Sequence, residues 1–193
     1  MAFDETDPRH CAIRKAAWTA FSTYGFRKTS MDDIAKGAGM SRPAVYLHFK
    51  NKEAILKALI DAYYSDTSQA VRAALDTEGG LETRIRAAFE AQGGAAMEAM
   101  LNTPHGMETL EASMSTASEN IQAGEGLMRD VYAEWLARMA KAGCVTLPGT
   151  AEDVARTFCS AMKGVKHTAS DYAAYRTGVL LLAQVFAAGL SPR

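Results

Sequence analysis

Three cysteines in 193 residues, no CxxC pair and no unbroken apolar run of membrane length set the first limits on this chain. Cys11, Cys144 and Cys159 are scattered, and no histidine pairs with them at a metal-ligand spacing. That argues against a disulfide framework or a zinc site built on cysteine, and it fits a reducing cytoplasm. No metal and no cofactor is implied. The longest apolar stretch, Val179 to Leu190, contains Gln184 and falls short of the roughly 18 residues that span a bilayer. A membrane partner is therefore not expected. The opening MAFDETDPRH is acidic and polar, unlike a secretion signal. Strand alternation, internal repeats, low-complexity segments and proline-rich linkers are missing. So are a nucleophile–base pair, a metal cluster and a phosphate loop, so no catalytic residue is assigned and an enzyme is not expected.

What the chain does have is a core and an uneven distribution of charge. Hydrophobic residues make up 48% and charged residues 22%, which suits a soluble globular protein. The formal net charge is only −1. Residues 9–52, however, carry nine basic side chains against Asp32 and Asp33, a net of +7, which leaves −8 for the remainder. A basic segment beside an acidic body is the electrostatic footprint of a polyanion partner. Lysines and arginines that merely solvate helix surfaces produce the same excess, so charge alone does not decide.

Nearly every segment has helical periodicity. A first helix is predicted from Pro8 to Tyr24, with Ile13, Ala16, Ala17, Ala20, Phe21 and Tyr24 on one apolar stripe and Gly25 to stop it. Ser30 and Asp33 read as a capping box for a second, short helix ended by Gly39. Ser41 caps a third, with Pro43 tolerated in its first turn. A fourth begins near Asn51 and runs through Leu56, Leu59, Ile60 and Tyr63. Longer helices follow over Leu81 to Leu101, after Pro104, over Ala117 to Lys141, from Thr150 to about Lys166, and from Ser170 or Asp171 to near Gly189. The Gly93-Gly94 pair predicts a kink or a broken helix. The fold class is all-α.

Helix, tight glycine turn and short helix over residues 30–49 form a helix-turn-helix pattern. Ile34, Ala35, Ala38, Val45 and Phe49 are spaced to supply a shared core, and small alanines let the two helices cross closely. The second helix can then enter the major groove with its N-terminal residues on base edges.

The run from Thr29 to Glu53, TSMDDIAKGAGMSRPAVYLHFKNKE, closely resembles the N-terminal signature of the tetracycline-repressor (TetR) family, as does Ile13-x-x-Ala-Ala-x-x-x-Phe21-x-x-x-Gly25 before it. The resemblance covers about residues 10–60. Met40 is a small departure, standing where the family usually has valine. The resemblance implies an N-terminal three-helix DNA-binding domain, residues 1–50, joined to a larger helical effector-binding and dimerisation domain, residues 51–193. It also implies roles that fit the residues' chemistry. Ser30, Tyr46, His48 and Lys52 are placed on phosphates, and Arg27 and Lys28 are candidate backbone contacts. Behind the cap Ser41, Arg42 can bond guanine, while Pro43 and Ala44 can meet a thymine methyl. Each residue alone has a plain alternative as solvated charge, surface histidine or core tyrosine; the ordered set favours DNA. Asp32 and Asp33 are read as N-terminal helix charges.

In the larger domain the family implies an effector pocket among Phe89, Met97, Met100, Met107, Met128, Tyr132, Trp135, Phe158 and Met162, although methionine also fills ordinary cores. His105 and His167 are candidate polar handles. The last two helices are apolar on more than one face, so Val154, Phe158, Val165, Tyr175, Val179, Leu182, Val185 and Phe186 are candidates for a homodimer interface, with Gly164 and Gly178 permitting close approach. The expectation is a cytoplasmic, dimeric, ligand-responsive regulator, a repressor released from double-stranded operator DNA by a partly apolar small molecule. A TetR-like fold acting as a non-DNA-binding adaptor is the alternative.

Overall fold

A computed structural model describes residues 7–192. Residues 1–6, which carry most of the polar opening stretch discussed above, lie outside the described residues, as does Arg193. Among the described residues every regular element is a helix, as expected.

Helix α1, Pro8–Tyr24, begins where the Asp7 carboxylate accepts the Arg9 N–H at 2.8 Å and Pro8 fills the first turn, a position where its missing N–H costs nothing. It stops at Gly25, whose φ of +87° and ψ of 148° suit glycine almost alone. Helix α2, Met31–Gly37, opens with the full capping box: Ser30 accepts from Asp33 N–H, and Asp33 accepts from Ser30 N–H. It ends two residues before Gly39, which supplies the left-handed turn (φ +65°) instead of the helix terminus. Helix α3, Arg42–Tyr46, is capped by Ser41. Helix α4, Lys52–Leu75, starts on Asn51, whose Oδ1 accepts from Ala54 N–H at 2.8 Å, and runs well beyond Tyr63.

The remaining helices are α5, Leu81–Leu101; α6, Gly106–Thr116; α7, Ser118–Lys141; α8, Ala151–Thr168; and α9, Tyr172–Leu190. Thr150 and Asp171 cap the last two. The predicted break at Gly93-Gly94 does not occur, and α5 is continuous through the pair. A Cβ at Gly93 would stand 2.6 Å from Lys166 Cε and 2.7 Å from the Tyr175 hydroxyl, so the missing side chain makes room for α8 and α9.

By packing, the chain forms two units: one from its start to Tyr63 together with Ala99–Ala123, the other from Tyr64–Glu98 and Gly124 onward. The expected domain division falls at residue 50; packing draws its line elsewhere because α6 seats on α1. His105 N–H donates to Ser22 O at 3.0 Å, and Thr109 Oγ1 donates to Phe21 O at 3.2 Å. The core of this unit gathers Ile13, Ala17, Phe21, Ile34, Val45, Phe49, Ile55 and Leu56, with Met40 packed against it. Tyr24 was expected on the α1 stripe but is 57% exposed, because α1 ends there and its side chain falls past the last turn of the core.

The second unit is centred on aromatic rings from α5, α7 and α8. Phe89, Tyr132 and Phe158 meet edge to face at centroid distances of 5.3–6.0 Å. Helix α9 turns Tyr175, Val179, Ala183, Ala187 and Leu190 inward. By length and composition alone α9 is also apolar enough to cross a membrane, which the count of strictly apolar residues from Val179 did not register. Its buried positions recur every three to four residues, the pattern of a helix packed on a protein core.

Gly25→Ala is expected to lower the stability of the chain by roughly 1–3 kcal/mol, measured by urea unfolding. The backbone is strained for alanine, and the new methyl would stand 2.8 Å from the Glu108 carboxylate oxygens. A change within 0.3 kcal/mol would show that this corner relaxes freely.

Candidate nucleic-acid interface

Helices of seven and five residues have too few internal hydrogen bonds to hold themselves in water. Here α2 and α3 stand because Met31, Ile34, Ala35 and Val45 point into the core of the first unit. That orientation fixes which side chains remain outside. Arg27, Lys28, Ser30, Ser41, Arg42, Pro43 and Tyr46 are exposed, while Ala44, His48 and Lys52 are half-buried. The ten residues expected to meet DNA therefore all lie within the first unit.

Arg42 is held in a defined pose. One guanidinium nitrogen lies 3.3 Å from Asp32 Oδ2, another donates to the Tyr46 hydroxyl at 3.4 Å, and the group stacks 5.5 Å above the Tyr46 ring. The Tyr46 hydroxyl and the Asp32 carboxylate raise the pKa of Arg42 further. With both Arg42 and Asp32 about half exposed the pair contributes little to stability, so the guanidinium can leave it for a better acceptor. Asp33 is held below the usual carboxylate range by its hydrogen bonds from the Ser30 hydroxyl and backbone. Its contribution to α2 is therefore present above that range and lost only as acid titrates the lowered group.

Lys52 requires a correction. Its ammonium donates to three backbone carbonyls, Phe26 O at 2.8 Å and Arg27 O and Thr29 O at 3.0 Å, and sits 4.8 Å from the centre of the Phe26 ring. A lysine has three N–H groups. All three are used in closing the turn between α1 and α2, so Lys52 holds the loop where a free phosphate contact was expected. Thr29 supports the same turn: it is buried, and its hydroxyl is set against Gly25 O at 2.8 Å and Ala20 O at 3.2 Å. His48 is also less free than expected. Its Nδ1 lies 3.9 Å from Asp7 Oδ2, and its ring meets His10 edge-on. Leu47, which the sequence reading passed over, is 86% exposed. The inward pair Val45 and Phe49, four residues apart, leaves position 47 on the outer side.

The expected effector residues separate. Phe89, Met97, Met128, Tyr132, Trp135, Phe158 and Met162 are buried in the second unit, whereas Met100 and Met107 belong to the first and Met107 is 39% exposed. Neither expected polar handle is a buried residue. His105 opens α6 in the first unit, with Nδ1 2.7 Å from Glu108 Oε2, and His167 is exposed near the end of α8. A polar group that does meet the aromatic residues is Gln92, whose Oε1 accepts from the Tyr132 hydroxyl at 2.8 Å. Cys159 is no reactive thiol, because burial pushes its pKa up to about 11.

The interface candidates are likewise corrected. Val154, Phe158, Tyr175 and Val179 are buried within their own chain, and only Val165, Leu182 and Phe186 (half-buried) and Val185 (66% exposed) remain accessible. Gly178 serves a close approach inside the chain, since a Cβ there would stand 2.8 Å from Val165 Cγ1. The outward apolar residues of α9 are Leu180, Leu181 and Val185. Beside them a groove of about 370 Å³ opens against α8, lined by Val154, Thr157, Val185 and Phe186 among others.

Comparison with known proteins agrees with this arrangement. Residues 13–59 match the family model described as bacterial regulatory proteins, tetR family. The HTH-type transcriptional regulator EthR of Mycolicibacterium smegmatis is 49% identical over 55 residues, which is 28% of this chain and 25% of that protein. The chain thus spans about a quarter of the length of that curated relative. A putative TetR-family transcriptional regulator from Mesorhizobium loti superposes with a TM-score of 0.74 at 20% identity, covering 95% of this chain and 96% of the other. SmeT, the repressor of the Stenotrophomonas maltophilia multidrug efflux pump SmeDEF, gives 0.69 at 24% identity over 94% and 90%, and has also been solved as a complex with triclosan. The structures carry the fold, and the sequence match carries the N-terminal segment. Residues 13–59 are thus a tetR-family segment, and the chain as a whole shares the fold of the solved regulators.

Lys52→Ala is expected to lower stability by roughly 1.5–3 kcal/mol, the scale for removing hydrogen bonds to a charged group. Thermal or urea unfolding checks this. An unchanged midpoint would release the ammonium from the turn.

Proposed function

We propose that this chain is a homodimeric, cytoplasmic regulator of transcription, a repressor that leaves operator DNA when a small molecule binds. Residues 1–50 read DNA, and residues 51–193 hold the effector and the dimer contact. The observation that carries the reading is the exposed row of Ser41, Arg42, Pro43 and Tyr46 along α3, with Ser30 nearby, inside a segment that matches a family of DNA-binding regulators. Arg42 meets guanine, Pro43 and Ala44 meet a thymine methyl, and Ser30, Tyr46 and His48 meet phosphates, with Arg27 and Lys28 along the backbone. Lys52 shapes the turn that presents them.

The effector site is assigned to the second unit, around Phe89, Tyr132 and Phe158, with Met97, Met128 and Met162 as flexible walls and Gln92 as the polar contact. SmeT, with a similar fold, has been solved with triclosan, which supports a small, largely apolar ligand. A ligand that prefers one of two dimer states shifts the population toward it and moves the recognition helices off two successive major grooves. The dimer contact is assigned to the outer face of α9, around Leu181 and Val185.

A gel shift with the DNA upstream of the chain's own gene should give a discrete complex that resists a scrambled competitor. Arg42→Ala should relax preference at one base pair per half-site, costing roughly 1–3 kcal/mol there, while Lys52→Ala should leave the slope of log affinity on log salt unchanged. A slope flattened by about one unit per contact would put Lys52 on phosphate after all. The absence of any complex would favour the adaptor reading.

The double substitution Leu181→Asp, Val185→Asp should yield a folded monomer by light scattering and weaken operator binding. A dimer of wild-type strength would move the interface elsewhere.

A further inference from the structure

Beyond the elements already assigned, the start of α1 and the end of the recognition helix share a cluster of donor side chains. Asp7 caps α1 through Oδ1 and turns Oδ2 toward His48 Nδ1, 3.9 Å away. His10, the third residue of α1, is buried, with its ring 4.9 Å from that of His48 and 5.0 Å from Phe49. One donor atom from each of Asp7, His10 and His48 lies within 4.8 Å of the other two. We propose that these three side chains form a divalent-cation site, fit for zinc or a neighbouring late first-row ion, that ties the start of α1 to the end of the recognition helix.

The donor set selects the ion. Two imidazoles and one carboxylate suit zinc, cobalt or nickel, whereas calcium and magnesium ask for oxygen alone. Zinc bonds of about 2.0–2.2 Å in tetrahedral geometry place neighbouring donors roughly 3.4 Å apart. The cluster must therefore contract by about an ångström. Asp7 and His48 can supply that movement, since both side chains are partly exposed at 31% and 15%, while buried His10 is the fixed point. The Arg9 N–H on Asp7 Oδ1 orients the carboxylate from outside, as outer-shell partners do in metal sites. Three protein donors leave a fourth position for water. Sequence spacing gave no sign of the site because His48 lies in the turn after α3, far along the chain from the other two donors.

Binding would replace the loose Asp7–His48 approach with a fixed bridge. With Nδ1 taken, the proton of His48 stays on Nε2, a donor for phosphate; that consequence rests on the DNA-binding reading, but the site does not.

The test is a cobalt(II) titration of the untagged full chain without DNA, followed by visible d–d absorption. One equivalent per chain should saturate a tetrahedral spectrum, and zinc should displace it and raise the melting temperature. Asp7→Asn keeps the helix cap and should weaken cobalt binding at least tenfold, and His48→Gln and His10→Gln should abolish it. Circular dichroism checks that each variant folds; if His10→Gln does not, the other two decide. Cobalt that stays octahedral, a thiolate charge-transfer band, or a spectrum that survives Asp7→Asn and His48→Gln would each overturn the proposal. None of these results bears on DNA binding, which the gel shift decides separately.

Discussion

One ammonium group holds the helix-turn-helix end of this molecule together. Lys52, the first residue of α4, donates to the carbonyls of Phe26, Arg27 and Thr29 and so fastens the turn before α2 to the helix after α3. The helices between those points have seven and five residues and cannot persist alone. Gly25 permits the sharp exit from α1, buried Thr29 seals the turn from within, and the Ser30–Asp33 box starts α2 in the direction this sets. Remove the clamp and the exposed row on α3 loses its fixed position. A charge of this kind does more for presentation than a surface contact would, because two of its three acceptors, the carbonyls of Phe26 and Thr29, are partly buried.

How much of this was legible in the sequence depended on range. Helix starts were readable because each cap is a local device: Ser30 with Asp33, Ser41, Thr150 and Asp171 all sit within three residues of the groups they satisfy. The inward set of the first unit, Tyr24 excepted, followed from periodicity for the same reason. What periodicity cannot supply is the partner. It showed that α8 and α9 each carry apolar residues on more than one face, but not that Phe158, Tyr175 and Val179 face their own chain while Leu181 and Val185 face outward. Lys52 was misplaced for a related reason: its acceptors are backbone carbonyls more than twenty residues away, invisible to any side-chain pattern. The seating of α6 on α1, which rests on Thr109 and His105, is equally non-local.

The electrostatics and the packing point the same way. The excess of positive charge lies in residues 9–52, and the folded chain turns Arg27, Lys28, Arg42 and Lys50 to the solvent there while using Lys52 internally. The second unit instead buries aromatic rings beside the hydrogen-bonded pair Gln92 and Tyr132, a composition that suits a site for a small apolar guest or a tight core. Selection of bound duplexes from a random pool tests sequence-specific DNA binding by a dimer most directly. Such a dimer predicts convergence on an inverted repeat whose half-sites are centred about one helical turn, or a multiple of it, apart. A pool that shows no enrichment, or that converges on a single asymmetric site bound by one chain, would contradict it.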